Sequence, residues 1–134
     1  MTQSDIKKIV ENLIQTFLDA GKISIDLRKK GLTKEIKSDN TPVSNGDLEV
    51  NKILSKKILN LTPNIPIVSE ETPENKSKNN LENFWLIDPI DGTYDYINDL
   101  DEFTINAGLI IQKKPVAGLI YAPAKNRMFY SYGD

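Results

Sequence analysis

The stretch Phe84-Trp85-Leu86-Ile87-Asp88-Pro89-Ile90-Asp91-Gly92-Thr93 decides how the rest of the chain is read. Its compact apolar run predicts a short buried strand that ends at Asp88. Residues 89–93 predict a turn, because Asp-Pro and Asp-Gly pairs favour turn backbone. A short helical segment is expected through residues 94–97. Upstream, residues 65–68 predict another short strand, and it too is followed by carboxylates, Glu70 and Glu71. If these strands are neighbours running the same way, Glu70, Asp88 and Asp91 converge at one rim. Like charges that close are costly unless a cation neutralises them. Asp91 can then be a ligand, Gly92 lets backbone approach a bound group, and Thr93 sits at a helix start with free N–H groups that suit a phosphate.

Outward from this stretch, Ile6, Ile9, Val10, Leu13, Phe17 and Leu18 recur at helical spacing after Ser4 and Asp5, good helix-start residues. The pattern predicts a helix to about Arg28, closed by Gly31. Residues 32–37 read as a short extended segment and residues 38–42 as a loop. Ser44-Asn45-Gly46-Asp47 has the form of a capping box, with the acid three residues after the hydroxyl. It predicts a second helix, which Thr62-Pro63-Asn64 ends. Residues 72–83 are polar and read as a mobile loop. Residues 103–111, 116–121 and 128–132 predict successive antiparallel strands, with turns at 112–115 and 123–126. The expected fold is α+β: two N-terminal helices packed on a mostly antiparallel sheet, in a single domain spanning residues 1–134.

Composition narrows the chemistry. The 134 residues include no cysteine and no histidine. Disulfides, thiolate nucleophiles, sulfur-ligated metals and imidazole relays are therefore excluded. Any hydrolytic chemistry must use carboxylates, hydroxyls, amines or backbone groups, with or without a hard cation such as Mg²⁺, which oxygen ligands suit. The net charge of -2 hides an asymmetry, because residues 70–102 hold ten acidic residues against Lys76 and Lys78 alone. Such a run is ordinarily a solvated surface, and it also fits a cation site. A basic patch for nucleic acid is not in evidence. No apolar run approaches the roughly 20 residues of a membrane helix, and the polar N-terminus lacks the apolar core of a signal peptide. An intracellular protein is the simplest reading.

Taken singly, each feature favours a plain explanation: turn chemistry for Asp88-Pro89 and Asp91-Gly92, solvation for Glu70-Glu71, helix capping for Asp47 and Thr93. The whole set, in this order and at strand ends, is much less expected by accident. An EF-hand is excluded, because its alternating acids and distal Glu are missing and Pro89 intrudes.

Residues 85–93 resemble the W-[IL]-[IV]-D-P-[IL]-D-G-T signature of the inositol monophosphatase superfamily, and Val68-Ser69-Glu70-Glu71 resembles its upstream acidic motif. Within it, the likeness is closest to the 3'(2'),5'-bisphosphate nucleotidases of the CysQ type. Residues 38–44 (SDNTPVS), 102–106 (EFTIN) and 118–123 (GLIYAP) resemble their segments. The resemblance implies a lithium-sensitive, Mg²⁺-dependent phosphomonoesterase that removes the 3'-phosphate of adenosine 3',5'-bisphosphate to give AMP, clearing a by-product of sulfate assimilation. It implies Glu70, Asp88, Asp91 and the Ile90 carbonyl as metal ligands, and Asp47 and Thr93 as the pair that holds and activates the attacking water. Glu70 and the stretch Ile90, Asp91, Gly92 and Thr93 are the implied substrate contacts, and Glu71 the support of an additional ion through water. Two or three Mg²⁺ ions are implied in the complete enzyme, with a small phosphorylated substrate, no nucleic acid polymer and no transmembrane segment. The implied location is cytoplasmic. Homodimer formation and peripheral attachment at the inner face of the cell membrane stay open. Members of the superfamily run to about twice this length, so the chain is expected to be the N-terminal half, lacking a further Asp ligand and much of the substrate pocket. The alternatives are an inositol monophosphatase or other sugar phosphatase of the superfamily, and an inactive cation-binding fragment.

Overall fold

The structure, a computed structural model, describes residues 1–71 and 81–133. Most of the expected loop 72–83 lies outside the described residues. Helix α1 spans Gln3–Lys30 and buries Ile6, Val10, Leu13, Phe17, Ala20, Gly21 and Ser24 along one face. Its start lies slightly earlier than the sequence suggests. Thr2 is the cap, accepting from the Asp5 backbone N–H at 3.1 Å, while Asp5 accepts from the Thr2 N–H at 2.9 Å. The reciprocal pair satisfies donors that a helix end leaves open, and these bonds hold the Asp5 carboxyl below the ordinary carboxylate range. The basic last turn, Arg28, Lys29 and Lys30, complements the helix dipole before Gly31 ends it at φ 98°.

A small hairpin follows, β1 (Lys34–Ile36) against β2 (Pro42–Ser44). The second strand was read as loop and helix entry, because three residues beside a proline carry no periodic signal. Helix α2 spans Asn45–Leu61 and buries Val50, Leu54 and Ile58. The main sheet, in spatial order, is β3 (Ile67–Ser69), β4 (Phe84–Asp91), β5 (Thr104–Ile111), β6 (Lys114–Ala122) and β7 (Arg127–Ser131). Among the described strands, only the β3–β4 pair is parallel. The short helix α3 (Thr93–Ile97) bridges β4 and β5.

The expected α+β class is the one observed, with one correction at the decisive stretch. Strand β4 does not end at Asp88 but continues to Asp91. The β4–β5 register shifts between Asp88 and Asp91, so the expected turn is a bulge within the strand. Proline is tolerated there because no ladder N–H is needed. The β5–β6 turn is also tighter than expected. Gln112 and Lys113, at φ 51° and 63°, make a two-residue connection whose twist matches that of the strands.

Helices α1 and α2 lie on one face of the sheet, α1 over β6 and α2 over β4. Strand alternation sends Trp85, Ile87, Ile105, Leu109 and Leu119 into that layer, where they pack on Val10, Leu13, Phe17, Leu54 and Ile58. Trp85 also donates through Nε1 to Thr62 Oγ1 at 3.0 Å, fastening β4 to the end of α2. The opposite sheet face is open, and Leu86, Ile120 and Phe129 stand 52%, 47% and 58% exposed on it.

A carboxylate site at the ends of two parallel strands

Parallel pairing sets the site. In β3 and β4, Ile67 lies beside Trp85, Val68 beside Leu86 and Ser69 beside Ile87. One step further along this register Glu70, just past the end of β3, stands beside Asp88, which lies within β4 at the start of its bulge. Ser69 is fully buried and donates through Oγ to Asn51 Oδ1 at 2.6 Å, while accepting from the Glu71 N–H at 3.2 Å. Helix α2 thereby holds the backbone from which Glu70 and Glu71 project.

The same helix brings in Asp47, which is 1% exposed. Its two oxygens serve different partners. Oδ2 accepts from the Ser44 N–H at 2.9 Å and the Ser44 hydroxyl at 2.6 Å, completing the cap of α2. Oδ1 accepts from the Thr93 hydroxyl at 2.9 Å, across 46 residues of sequence. The Ile90 carbonyl lies 3.1 Å from the same hydroxyl. A hydroxyl has one proton, so Thr93 shares it between these acceptors and keeps lone pairs to accept a hydrogen bond from elsewhere.

Gly92 places Thr93. It caps α3 at φ 88°, a left-handed conformation that a side chain disfavours. A Cβ there would also meet the Glu102 carbonyl oxygen at 2.7 Å. Gly46 does the equivalent for Asp47, because a Cβ at that position would overlap the Tyr96 ring. Helix α3 is the short segment the sequence predicts, starting one residue earlier, at Thr93.

Electrostatics record how closely the carboxylates gather. Asp88 is pushed up from 3.8 to about 6, first by burial, then by the charges of Asp91, Glu70, Asp47 and Glu71. Sequence reasoning missed the cation at this rim. Lys37, just after β1, reaches Glu71 Oε1 at 3.3 Å, and the Glu71 side chain is only 8% exposed. No local pattern marks Lys37, because the hairpin alone brings it there.

Among the described residues, no group of three or more carboxylates is arranged to hold a metal ion as it stands. The donor chemistry nevertheless fits a hard divalent ion, since all the candidate ligands are oxygens and the raised Asp88 marks negative charge that its surroundings do not balance.

The carboxylates gathered beside the parallel strand pair, with a helix-held Asp–Thr pair next to them, offer oxygen donors alone, the ligand type that hard divalent ions take. The chain belongs to the inositol monophosphatase family, whose pattern it matches over residues 5–133. It is 38% identical over 117 residues to the 3'(2'),5'-bisphosphate nucleotidase CysQ of Haemophilus influenzae, covering 86% of this chain and 44% of that protein. The CysQ of Buchnera aphidicola is 34% identical over 131 residues, covering 96% of this chain and 49% of that protein. The chain thus spans about half the length of these relatives. The fold matches the extragenic suppressor protein SuhB of Bartonella henselae with a TM-score of 0.81 at 23% identity, over 93% of this chain and 49% of that one. It also matches an IMPase/NADP phosphatase, solved with Mg²⁺ and phosphate, with a TM-score of 0.80 at 19% identity, over 98% of this chain and 49% of that one. Among the described residues, no helix is long and apolar enough to cross a membrane.

Proposed function

We propose that this chain supplies the ion- and water-holding part of a Mg²⁺-dependent phosphomonoesterase that converts adenosine 3',5'-bisphosphate to AMP and phosphate. The observation that carries the reading is the Thr93–Asp47 hydrogen bond of 2.9 Å beside the crowded carboxylates. Likeness to the CysQ nucleotidases at 34% to 38% identity supports the nucleotide substrate.

Glu70, Asp88, Asp91 and the Ile90 carbonyl would hold Mg²⁺, which when bound lowers the pKa of a coordinated water and neutralises phosphate charge. The chain's own groups then divide the work. Asp47 Oδ1 accepts the hydrogen bond that the Thr93 hydroxyl donates, which leaves the hydroxyl lone pairs to accept a hydrogen bond from the attacking water. A water so held is aligned for in-line attack: its oxygen bonds to phosphorus and gives up a proton to solvent, the bond to the 3'-oxygen breaks, and that oxygen leaves and takes a proton from solvent. Gly92 brings backbone within reach of the phosphate because no side chain stands in the way. Asp47 acts by orientation, being buried and already bonded at both oxygens.

Titration calorimetry with Mg²⁺ on residues 1–134 tests the ion, and phosphate release from the product of the complete reading frame tests the reaction. Asp91→Asn is expected to weaken Mg²⁺ binding by about tenfold or more and to abolish release. Undiminished release in that variant overturns the assignment. Faster release from inositol 1-phosphate than from adenosine 3',5'-bisphosphate overturns the nucleotide substrate. The 134-residue chain alone is expected to show little or no turnover.

A further inference from the structure

We infer that Arg28, a residue of α1 remote in sequence from the site, is a positioning residue that sets the approach of Thr93 to Asp47. The inference rests on the proposed function for the role of those two residues. Its own ground is a chain of contacts that ends on both of them.

Arg28 lies in the last turn of α1, yet its side chain is only 11% exposed. Nη1 donates to the Leu100 carbonyl at 2.6 Å. Nη2 reaches Asp101 Oδ1 at 3.2 Å, and Nε reaches Asp99 Oδ1 at 3.3 Å. The guanidinium also covers two rings, 5.0 Å from the centre of Phe103 and 5.7 Å from that of Tyr96. Those rings meet edge to face at 4.8 Å.

The exposed carboxylates of Asp99 and Asp101, 87% and 63% accessible, contribute little as ion pairs. The carbonyl bond and the two rings are what Arg28 holds firmly. Each of the two ring residues stands beside the backbone next to one partner of the Thr93–Asp47 bond. Tyr96 fills the space beside Gly46, the residue before Asp47, and it donates to the Ser24 carbonyl of α1 at 2.6 Å. A Cβ on Gly92, the residue before Thr93, would meet the Glu102 carbonyl oxygen and the Cα and Cβ of Phe103, so the backbone that carries the Phe103 ring passes close there. A flat, charged group spanning both rings therefore fixes the gap between the two backbones. Lysine offers neither the fork nor the plane to do so.

The groups that Arg28 meets (Leu100, Asp99, Asp101, Tyr96 and Phe103) are none of them proposed ion ligands, which makes the inference separable from ion binding. Wild-type chain, Arg28→Lys and Arg28→Met are compared by calorimetry, first with Mg²⁺ and then with inorganic phosphate at saturating Mg²⁺. Arg28→Lys is the milder change, retaining charge and stem should Arg28→Met fold poorly. The expected result is unchanged Mg²⁺ affinity in both variants, with phosphate affinity lower by about tenfold, the worth of one charge-assisted hydrogen bond. Dilute guanidinium chloride is expected to restore part of that loss in Arg28→Met and none in wild type. Equal phosphate affinity in all three proteins overturns the inference. So does a parallel loss of both affinities that tracks thermal stability, since that is a merely structural role. Wild-type chain that binds Mg²⁺ without phosphate overturns it as well. Failure of wild type to bind Mg²⁺ overturns the proposed function itself, a result distinct from the others.

Discussion

Asp47 and Asp88 are both carboxylates at the same rim, and their surroundings treat them oppositely. Asp47 is nearly inaccessible, with both oxygens hydrogen-bonded. Asp47→Ala should therefore leave the Ser44 N–H and the Ser44 hydroxyl short of an acceptor, while the Thr93 hydroxyl keeps the Ile90 carbonyl, and cost about 2–3 kcal/mol, against about 1 kcal/mol for Ser44→Ala. Urea denaturation of the two variants checks the order. Asp88 is destabilised by burial and by four neighbouring carboxylates, and its pKa rises to about 6. The sign follows from that rise. A folded-state value above the ordinary 3.8 means the native chain holds the proton more tightly than the unfolded one. The contribution is fully present below 3.8 and is lost as pH climbs through about 6. Asp88→Asn should thus raise the melting temperature of the ion-free chain at pH 8, by the equivalent of about 1 kcal/mol after discounting for partial exposure. The gain should vanish in acid below 3.8. A thermal melt series across pH would show it, and an equal gain at all pH values would refute the electrostatic cause.

At the scale of elements, the bulge in β4 does the most. One extra residue between Asp88 and Asp91 lets the strand keep its pairing with β5 while Ile90 turns into the core and its carbonyl meets Thr93. Reading Pro89 and Gly92 as turn formers was reasonable, because a bulge and a turn share their local chemistry. Only the partner strand distinguishes them, and β5 begins 13 residues later at Thr104. Gly92 is the strict requirement within this element. Gly92→Ala must be accommodated at φ 88° and against an oxygen 2.7 Å away. It should cost about 2–4 kcal/mol in urea denaturation, more than the few tenths expected for a permissive cap. Helix limits were more legible, since the capping boxes Thr2–Asp5 and Ser44–Asp47 are local and reciprocal.

For the whole molecule, the two faces of the sheet differ in what they carry. Leu119 is fully buried under the helices, whereas its neighbour Ile120 is half exposed on the open face. Leu119→Ala should cost about 2–4 kcal/mol, and Phe129→Thr on the open face less than about 1 kcal/mol. Comparable losses in chemical denaturation would mean that the open face is covered in solution. The strand alternation that produces this asymmetry is readable along β5 and β6, but which face receives the helices is not.

What the sequence determined by itself is whatever acts over a few residues or by composition. Without histidine or cysteine, the candidate chemistry had to be oxygen chemistry. The Ser44–Asp47 box had to start a helix, and the alternation after Phe103 had to make strands. Tertiary structure alone decided the rest. It set the parallel pairing that puts Glu70 beside Asp88, the 2.9 Å bond between Asp47 and Thr93, the arrival of Lys37 at Glu71, and the place of Arg28 beneath two rings. These juxtapositions link residues 18 to 75 positions apart in the chain. No local preference encodes such distances: they follow from burying one face of the sheet under two helices, which brings together whatever side chains stand at its rim.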